Sequence, residues 1–220
     1  MKSIAVVAAI LVLAISIAYY LTLSSQQKSL PFINPHDVAP EMVDSSLREK
    51  GHGHRIGKFQ LIDEQNHTIT DQIMDGKVVV VEYFFTTCGT ICPKMNQQMQ
   101  RVQEKFKNDD RFEILSYTVD PLNDTPKQLL EYAKNHGYTP GQWHFITGSK
   151  ESLYRLARTS FFVLKPAEAE NLGDAGNDFI HTNNFVLIDQ QRQIRGYYDG
   201  TSSAEIDELM QDVEQLLNKN

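Results

Sequence analysis

The sequence predicts an α/β domain, a central mixed sheet flanked by helices, and three observations carry that expectation. Val78-Val79-Val80-Val81-Glu82-Tyr83-Phe84-Phe85 is a β-branched and aromatic run bounded by Asp75-Gly76-Lys77, the pattern of a strand buried on both faces. Met95, Met99, Val102 and Phe106 then fall at spacings of four, three and four, one face of a helix. A second strand, Phe112 to Val119, and a second helix from Thr125-Pro126 through Leu129, Leu130, Tyr132 and Ala133 repeat the unit. The order β-α-β-α is the signature of parallel pairing.

Taken in order, the chain opens on 20 residues without a charge, Ile4 to Leu23. At about 1.5 Å per residue they are long enough to cross a bilayer of about 30 Å. Lys2 and the α-amino group precede them, which places the N-terminus in the cytoplasm and the bulk of the chain outside. The run exceeds the apolar core of a cleaved signal and leads into Tyr19-Tyr20 and Ser24-Ser25-Gln26-Gln27, so residues 1–25 are expected to be a retained single-pass anchor, one N-terminal transmembrane helix in the cytoplasmic membrane. Residues 26–50, polar and punctuated by Pro31, Pro35 and Pro40, read as a linker. Residues 51–220 read as the folded domain, on the extracytoplasmic side.

Within it, Ile56 to Ile62 and His67-Thr68-Ile69-Thr70 flank Asp63-Glu64-Gln65-Asn66, an N-terminal hairpin. The two β-α units follow. His136-Gly137 stops the second helix, Trp143 to Thr147 makes a short strand, and Ser149 caps a helix with Leu153, Leu156 and Ala157 on its apolar side. Phe161 to Ile180, with Pro166, Gly173 and Gly176, reads as an exposed irregular excursion. Asn184 to Ile188 and Ile194 to Tyr198 form an antiparallel hairpin around Asp189-Gln190-Gln191-Arg192-Gln193, which makes the sheet mixed. A last helix near Ser202-Ser203 buries Ile206, Leu209, Met210, Val213, Leu216 and Leu217.

Lys+Arg 21 against Asp+Glu 28 gives a net charge of −7, and the absence of a basic cluster argues against a nucleic-acid partner. The chemistry concentrates in Cys88-Gly89-Thr90-Ile91-Cys92-Pro93, which holds both cysteines of the chain at a strand-to-helix turn. Helix-terminal N–H groups favour thiolate over thiol. Cysteines four apart on a helical turn lie one above the other, close enough to form a disulfide or to hold one metal ion. A purely structural disulfide is disfavoured, because it would close almost no loop.

Other residues carry weaker signals. His181, between the excursion and the strand at Phe185, is either a structural or solvated histidine or one that reaches the top of the sheet beside the cysteines. Two thiolates and an imidazole make a soft, three-coordinate site that suits Cu(I), with zinc as the competitor; structural zinc takes four protein ligands, and no fourth is evident. Glu82, in the apolar strand, is either a solvent-facing residue or a buried carboxylate that tunes the sulfurs. Asp120 emerges at the end of the neighbouring strand, as a helix cap or beside the site. Met95 and Met99 belong to the apolar stripe, and His52 and His54 read as solvated residues rather than a metal tract.

Three blocks together resemble a known family: Phe84-Phe85-Thr86-Thr87-Cys88-Gly89-Thr90-Ile91-Cys92-Pro93, Thr118-Val119-Asp120-Pro121-Leu122-Asn123-Asp124-Thr125-Pro126, and His181 before Asn184-Phe185-Val186-Leu187-Ile188-Asp189. They are similar, from about Ile56 to the C-terminus, to the Sco/SenC family of membrane-anchored copper proteins. The resemblance implies a thioredoxin-like fold and one copper ion per chain, as Cu(I) or Cu(II), held by Cys88, Cys92 and His181. It implies a metallochaperone, a carrier rather than a turnover enzyme, that delivers copper for the CuA centre of cytochrome c oxidase. Its partners would be the copper-binding oxidase subunit or another copper protein, and a thiol reductant. The alternative is an extracytoplasmic thiol-disulfide oxidoreductase in which Cys88 and Cys92 are the redox dithiol.

Two positions depart from the family pattern: Gly89 where many members have proline, and Ile180 where many have aspartate. Glu82 falls at the offset of the buried acid of thioredoxins. Phe85 stands where peroxidase-like relatives of the fold require threonine.

Overall fold

The structure, a computed structural model, describes residues 10–19, 29–49, 51–138, 140–163 and 183–219. The chain divides into two compact units, Met1–Leu30 and Pro31–Asn220. In the first, residues 10–19 are helical. Among the described residues no helix is long and apolar enough to cross a membrane. The expected span Ile4 to Leu23 is thus described only in its middle part.

In the second unit the described strands are β1 (Gln60–Asp63), β2 (Thr68–Thr70), β3 (Val78–Phe84), β4 (Phe112–Thr118), β5 (Trp143–Thr147), β6 (Asn184–Ile188) and β7 (Ile194–Asp199). They form one sheet in the order β2-β1-β5-β4-β3-β6-β7. β3, β4 and β5 run parallel, and every other pairing is antiparallel, so the sheet is mixed as expected. The helices α1 (Cys92–Phe106), α2 (Pro126–Asn135), α3 (Lys150–Thr159) and α4 (Ser203–Leu217) flank it.

Local chemistry fixes most boundaries. Thr125, Ser149 and Ser202 accept hydrogen bonds from the backbone N–H groups of Gln128, Ser152 and Glu205, satisfying donors that the first turns of α2, α3 and α4 leave open. Gly137, at φ 74°, follows the end of α2 in a conformation that only glycine adopts without strain. β3 and β4 bury their whole length. Val79, Val81 and Tyr83 pack with Leu115, Tyr117 and the apolar side of α3, while Phe84 on the alternate face lies 5.3 Å from the ring of Tyr132 in α2.

Three expectations change. The first strand begins at Gln60, not Ile56, because the backbone N–H of Ile56 pairs with Arg192 in the turn before β7 rather than with a sheet neighbour. The stretch read as an exposed excursion starts inside the core: Phe161, Phe162 and Val163 are buried, with Phe161 5.9 Å from the ring of Tyr83. The remainder, 164–182, lies outside the described residues.

Residues 31–49, read as linker from their prolines, lie in the same compact unit as the sheet. Ile33 bridges Ile194, and the Asn34 side chain accepts from the N–H groups of Gly53 and His54. Val43 is buried in the core. The fastening is Arg195, whose guanidinium pairs with buried Asp189 at 2.8 Å, donates to the Pro31 carbonyl, and lies 4.0 Å above the Phe32 ring. Composition reads proline as a spacer; here the partner that turns the segment into a strap stands more than 160 residues later.

Candidate metal centre

The buried run of β3 ends at Phe84, and the chain turns through residues 85–91 before α1 begins at Cys92. The Cys88 N–H donates to the Phe85 carbonyl at 3.2 Å, folding the turn back on the strand end. Pro93 sits in the first turn of α1, where no intrahelical N–H bond is forfeited. Both cysteines are free thiols, Cys88 half-buried and Cys92 buried.

The sequence treats the two sulfurs alike, and the structure separates them. Burial opposes ionisation of Cys88, but hydrogen bonds from the Cys92 thiol and from the backbone N–H groups of Thr90 and Cys92 outweigh it and bring the thiol down to about 7. The Thr90 hydroxyl also approaches its Sγ, at 3.7 Å. For Cys92 burial dominates and pushes the thiol well above its ordinary value, with the charges of Cys88 and Glu82 adding to the rise. Helix-terminal stabilisation of thiolate therefore reaches the half-buried member of the pair and fails at the one turned into the protein.

Glu82 is 3% exposed, in a strand with neighbours on both sides, so the solvent-facing reading fails. Its carboxylate accepts from Ser116 Oγ at 2.6 Å, and Ser116 accepts from Trp143 Nε1 at 2.8 Å, a buried chain across β3, β4 and β5. Burial raises the carboxyl to about 7, and the Ser116 hydroxyl only partly offsets it. Tyr132 of α2 is pushed up by burial and then by the charges of Glu82, Cys92, Cys88 and Asp124, and its hydroxyl accepts from Asn96 Nδ2 of α1 at 3.4 Å.

Asp120 follows β4 at the same end of the sheet as the cysteine turn, and its carboxylate is engaged locally, accepting from Asn123 Nδ2 at 2.7 Å. The residue that joins the two loops is Asp124, wholly buried, which accepts from the Thr118 hydroxyl and from both the hydroxyl and the backbone N–H of Thr86. Sequence reasoning passed over Asp124, Ser116, Trp143 and Tyr132. Only for Asp124 was there a signal, an acidic residue inside a motif already singled out for Asp120. His181 lies outside the described residues. Met95 and Met99 are core residues, and His54 is half-buried with its ring 4.5 Å from that of Phe162.

A mixed sheet with parallel strands at its centre, delivering a reduced and unequal dithiol to a helix N-terminus, defines a thioredoxin-like thiol domain. The SCO1/SenC family model matches residues 48–218, and the chain belongs to that family. It is 29% identical over 163 residues to the SCO1 protein homolog of Bacillus subtilis, spanning 73% of this chain and 81% of that one. Among solved structures it resembles BsSco, described as a member of the Sco family of cytochrome c oxidase assembly proteins and as carrying a disulfide switch, with TM-score 0.64 and 28% identity over 76% of this chain and 95% of that one. The Arabidopsis thaliana ScoI solved with copper bound shares the fold, at TM-score 0.57 and 24% identity over 72% and 98% of the two chains.

Proposed function

We propose that this chain is a membrane-anchored copper carrier that binds one copper ion through Cys88, Cys92 and His181 and delivers it for assembly of the CuA centre of cytochrome c oxidase. The observation that carries the reading is the reduced thiol pair at the start of α1, with one sulfur accessible and one buried. Two sulfurs on one helical turn are a soft donor set, which favours Cu(I); an added imidazole also accommodates Cu(II). Copper is the cargo here. A half-buried Cys88 is open to an acceptor's ligand, while Cys92 retains the ion from inside until exchange is complete.

In this reading residues 1–25 anchor the chain in the cytoplasmic membrane, a short stretch from residue 26 connects, and the compact unit from Pro31 works on the extracytoplasmic side. The exposed apolar side chains of Ile10, Leu11, Val12, Leu13, Ile15 and Ile17 support an anchor. Glu82 tunes the sulfurs from below, and Asp120 shapes the adjoining loop.

The reduced full chain, titrated anaerobically, is expected to bind one Cu(I). Cys88→Ser and Cys92→Ser remove binding, and His181→Ala weakens it. Unchanged copper affinity in His181→Ala overturns the ligand set.

The unequal thiols also support a second reading, thiol-disulfide exchange. The Cys88 thiolate attacks a target disulfide and displaces one target thiol; Cys92 then attacks the mixed disulfide, releasing the second target thiol and leaving Cys88–Cys92 oxidised, to be reduced by an external thiol reductant. Alkylation of Cys88 should reach half its maximal rate near pH 7, with Cys92 unreactive at that pH. His181→Ala separates the readings in cells: lost oxidase copper with intact dithiol exchange supports the carrier, and intact loading supports the reductase.

A further inference from the structure

At the opposite end of the sheet from the cysteines, where β4 and β5 begin, a second group of ligating side chains converges. One ligand atom from each of Asp63, Glu64 and His144 lies within 4.8 Å of the others. The antiparallel pairing of β1 with β5, Asp63 opposite Ile146, brings the carboxylates alongside His144.

His144 is set as a metal-bound imidazole is set. Its Nε2 lies 3.0 Å from Glu113 Oε1, and Glu113 is held in turn by Lys77 Nζ at 2.5 Å from its other oxygen. A ring whose Nε2–H is donated to a carboxylate carries its lone pair on Nδ1. That Nδ1 is buried and has no hydrogen-bond partner among the described residues.

Charge points the same way. Asp63, Glu64 and Glu113 are all buried, at 2–3% exposure, and the ionic contacts described for them are Lys77 and the His144 ring on Glu113 and the His67 ring, 3.4 Å from Asp63 Oδ2, so that with neutral imidazoles Lys77 is the one full positive charge among these contacts. Buried carboxylates in excess of cations are unfavourable unless a cation joins them.

The carboxylates are already aimed. Asp63 Oδ1 accepts from the N–H groups of Gln65 and His67, Glu64 Oε2 accepts from the Phe145 N–H, and Glu64 Oε1 accepts from the Tyr138 hydroxyl and from Gln65 Nε2. Such bonds orient a ligand: Asp63 Oδ1 and Glu64 Oε1 accept two each, which leaves Asp63 Oδ2 and a further lone pair of Glu64 Oε2 to face a cation.

We propose that Asp63, Glu64 and His144 form a second metal site, for a first-row divalent cation of the zinc type, independent of the cysteine centre. One imidazole nitrogen and two carboxylate oxygens suit zinc, with water completing the set. Ligand atoms around tetrahedral zinc lie about 3.5 Å apart, so the three side chains need close by little more than about 1 Å.

The test uses the full chain carrying Cys88→Ser and Cys92→Ser, so that sulfur does not compete, with zinc alone as probe. Calorimetry should find one zinc per chain and thermal melts a raised midpoint. His144→Gln, and separately Glu64→Gln, should weaken binding at least tenfold and abolish the rise in midpoint. Asp63→Asn, equal in size, decides the matter if His144→Gln does not fold. No stoichiometric zinc in the cysteine-free chain, or binding unchanged by these substitutions, overturns the site.

Discussion

Glu82 is a carboxyl held where its environment opposes the charged form. Its carboxyl is raised to about 7 from 4.5, so between those values the folded chain keeps a proton that the unfolded chain has released. The stability associated with the neutral carboxyl is full below about pH 4.5 and is lost as pH rises through about 7; a shift of this size is worth about 3 kcal/mol. Glu82→Gln keeps an acceptor for Ser116 and removes the titration. Urea unfolding at pH 4.5 and pH 8 should therefore show the glutamine variant gaining about 3 kcal/mol on the parent between the two conditions. An equal difference at both values would mean that the carboxylate is not buried uncharged. The strand containing Glu82 was legible in the sequence. Its burial was not, because that depends on β6 arriving on the far side from more than a hundred residues downstream.

The cysteine turn and the loop between β4 and α2 are separate elements that share one buried carboxylate, Asp124. Asp124→Ala leaves the buried Thr118 hydroxyl and the half-buried Thr86 hydroxyl and N–H without their acceptor, which costs about 2–4 kcal/mol. The expected result is a lower urea midpoint together with faster alkylation of Cys88, since the turn loses its tether to the loop. Asp124→Asn keeps one acceptor oxygen and should show a smaller change in both. A variant as stable as the parent, with Cys88 no more reactive, sinks this reading. The caps of the helices were legible because a cap is a local pattern, a hydroxyl three residues before the N–H it satisfies. The contrast between Cys88 and Cys92 was not legible, because it arises from which way each side chain points.

Seen as a whole, the unit from Pro31 to Asn220 is closed by its own beginning. A chain starting at residue 51, the domain boundary that composition favours, loses the Asn34 and Pro31 hydrogen bonds, the bridge at Ile33 and the buried side chain of Val43. Together these contribute about 3 kcal/mol, so it should melt roughly 6–12 °C below a chain starting at Pro31. Equal melting temperatures would return residues 31–49 to the role of linker. The architecture itself was largely legible, since continuous apolar strands and amphipathic helices announce a parallel core. What escaped was the closure around that core: Phe161 to Val163 folding inward, and Arg195 reaching back to Pro31. Both join segments that no local pattern connects.

Trp143 is the one tryptophan of the chain, and its indole N–H ends the buried line that runs through Ser116 to Glu82. The protein thus carries an intrinsic fluorophore wired to the carboxyl beneath its thiols. Emission should change with a midpoint near pH 7 in the parent and stay flat in Glu82→Gln, giving an optical readout of the site's charge without any label.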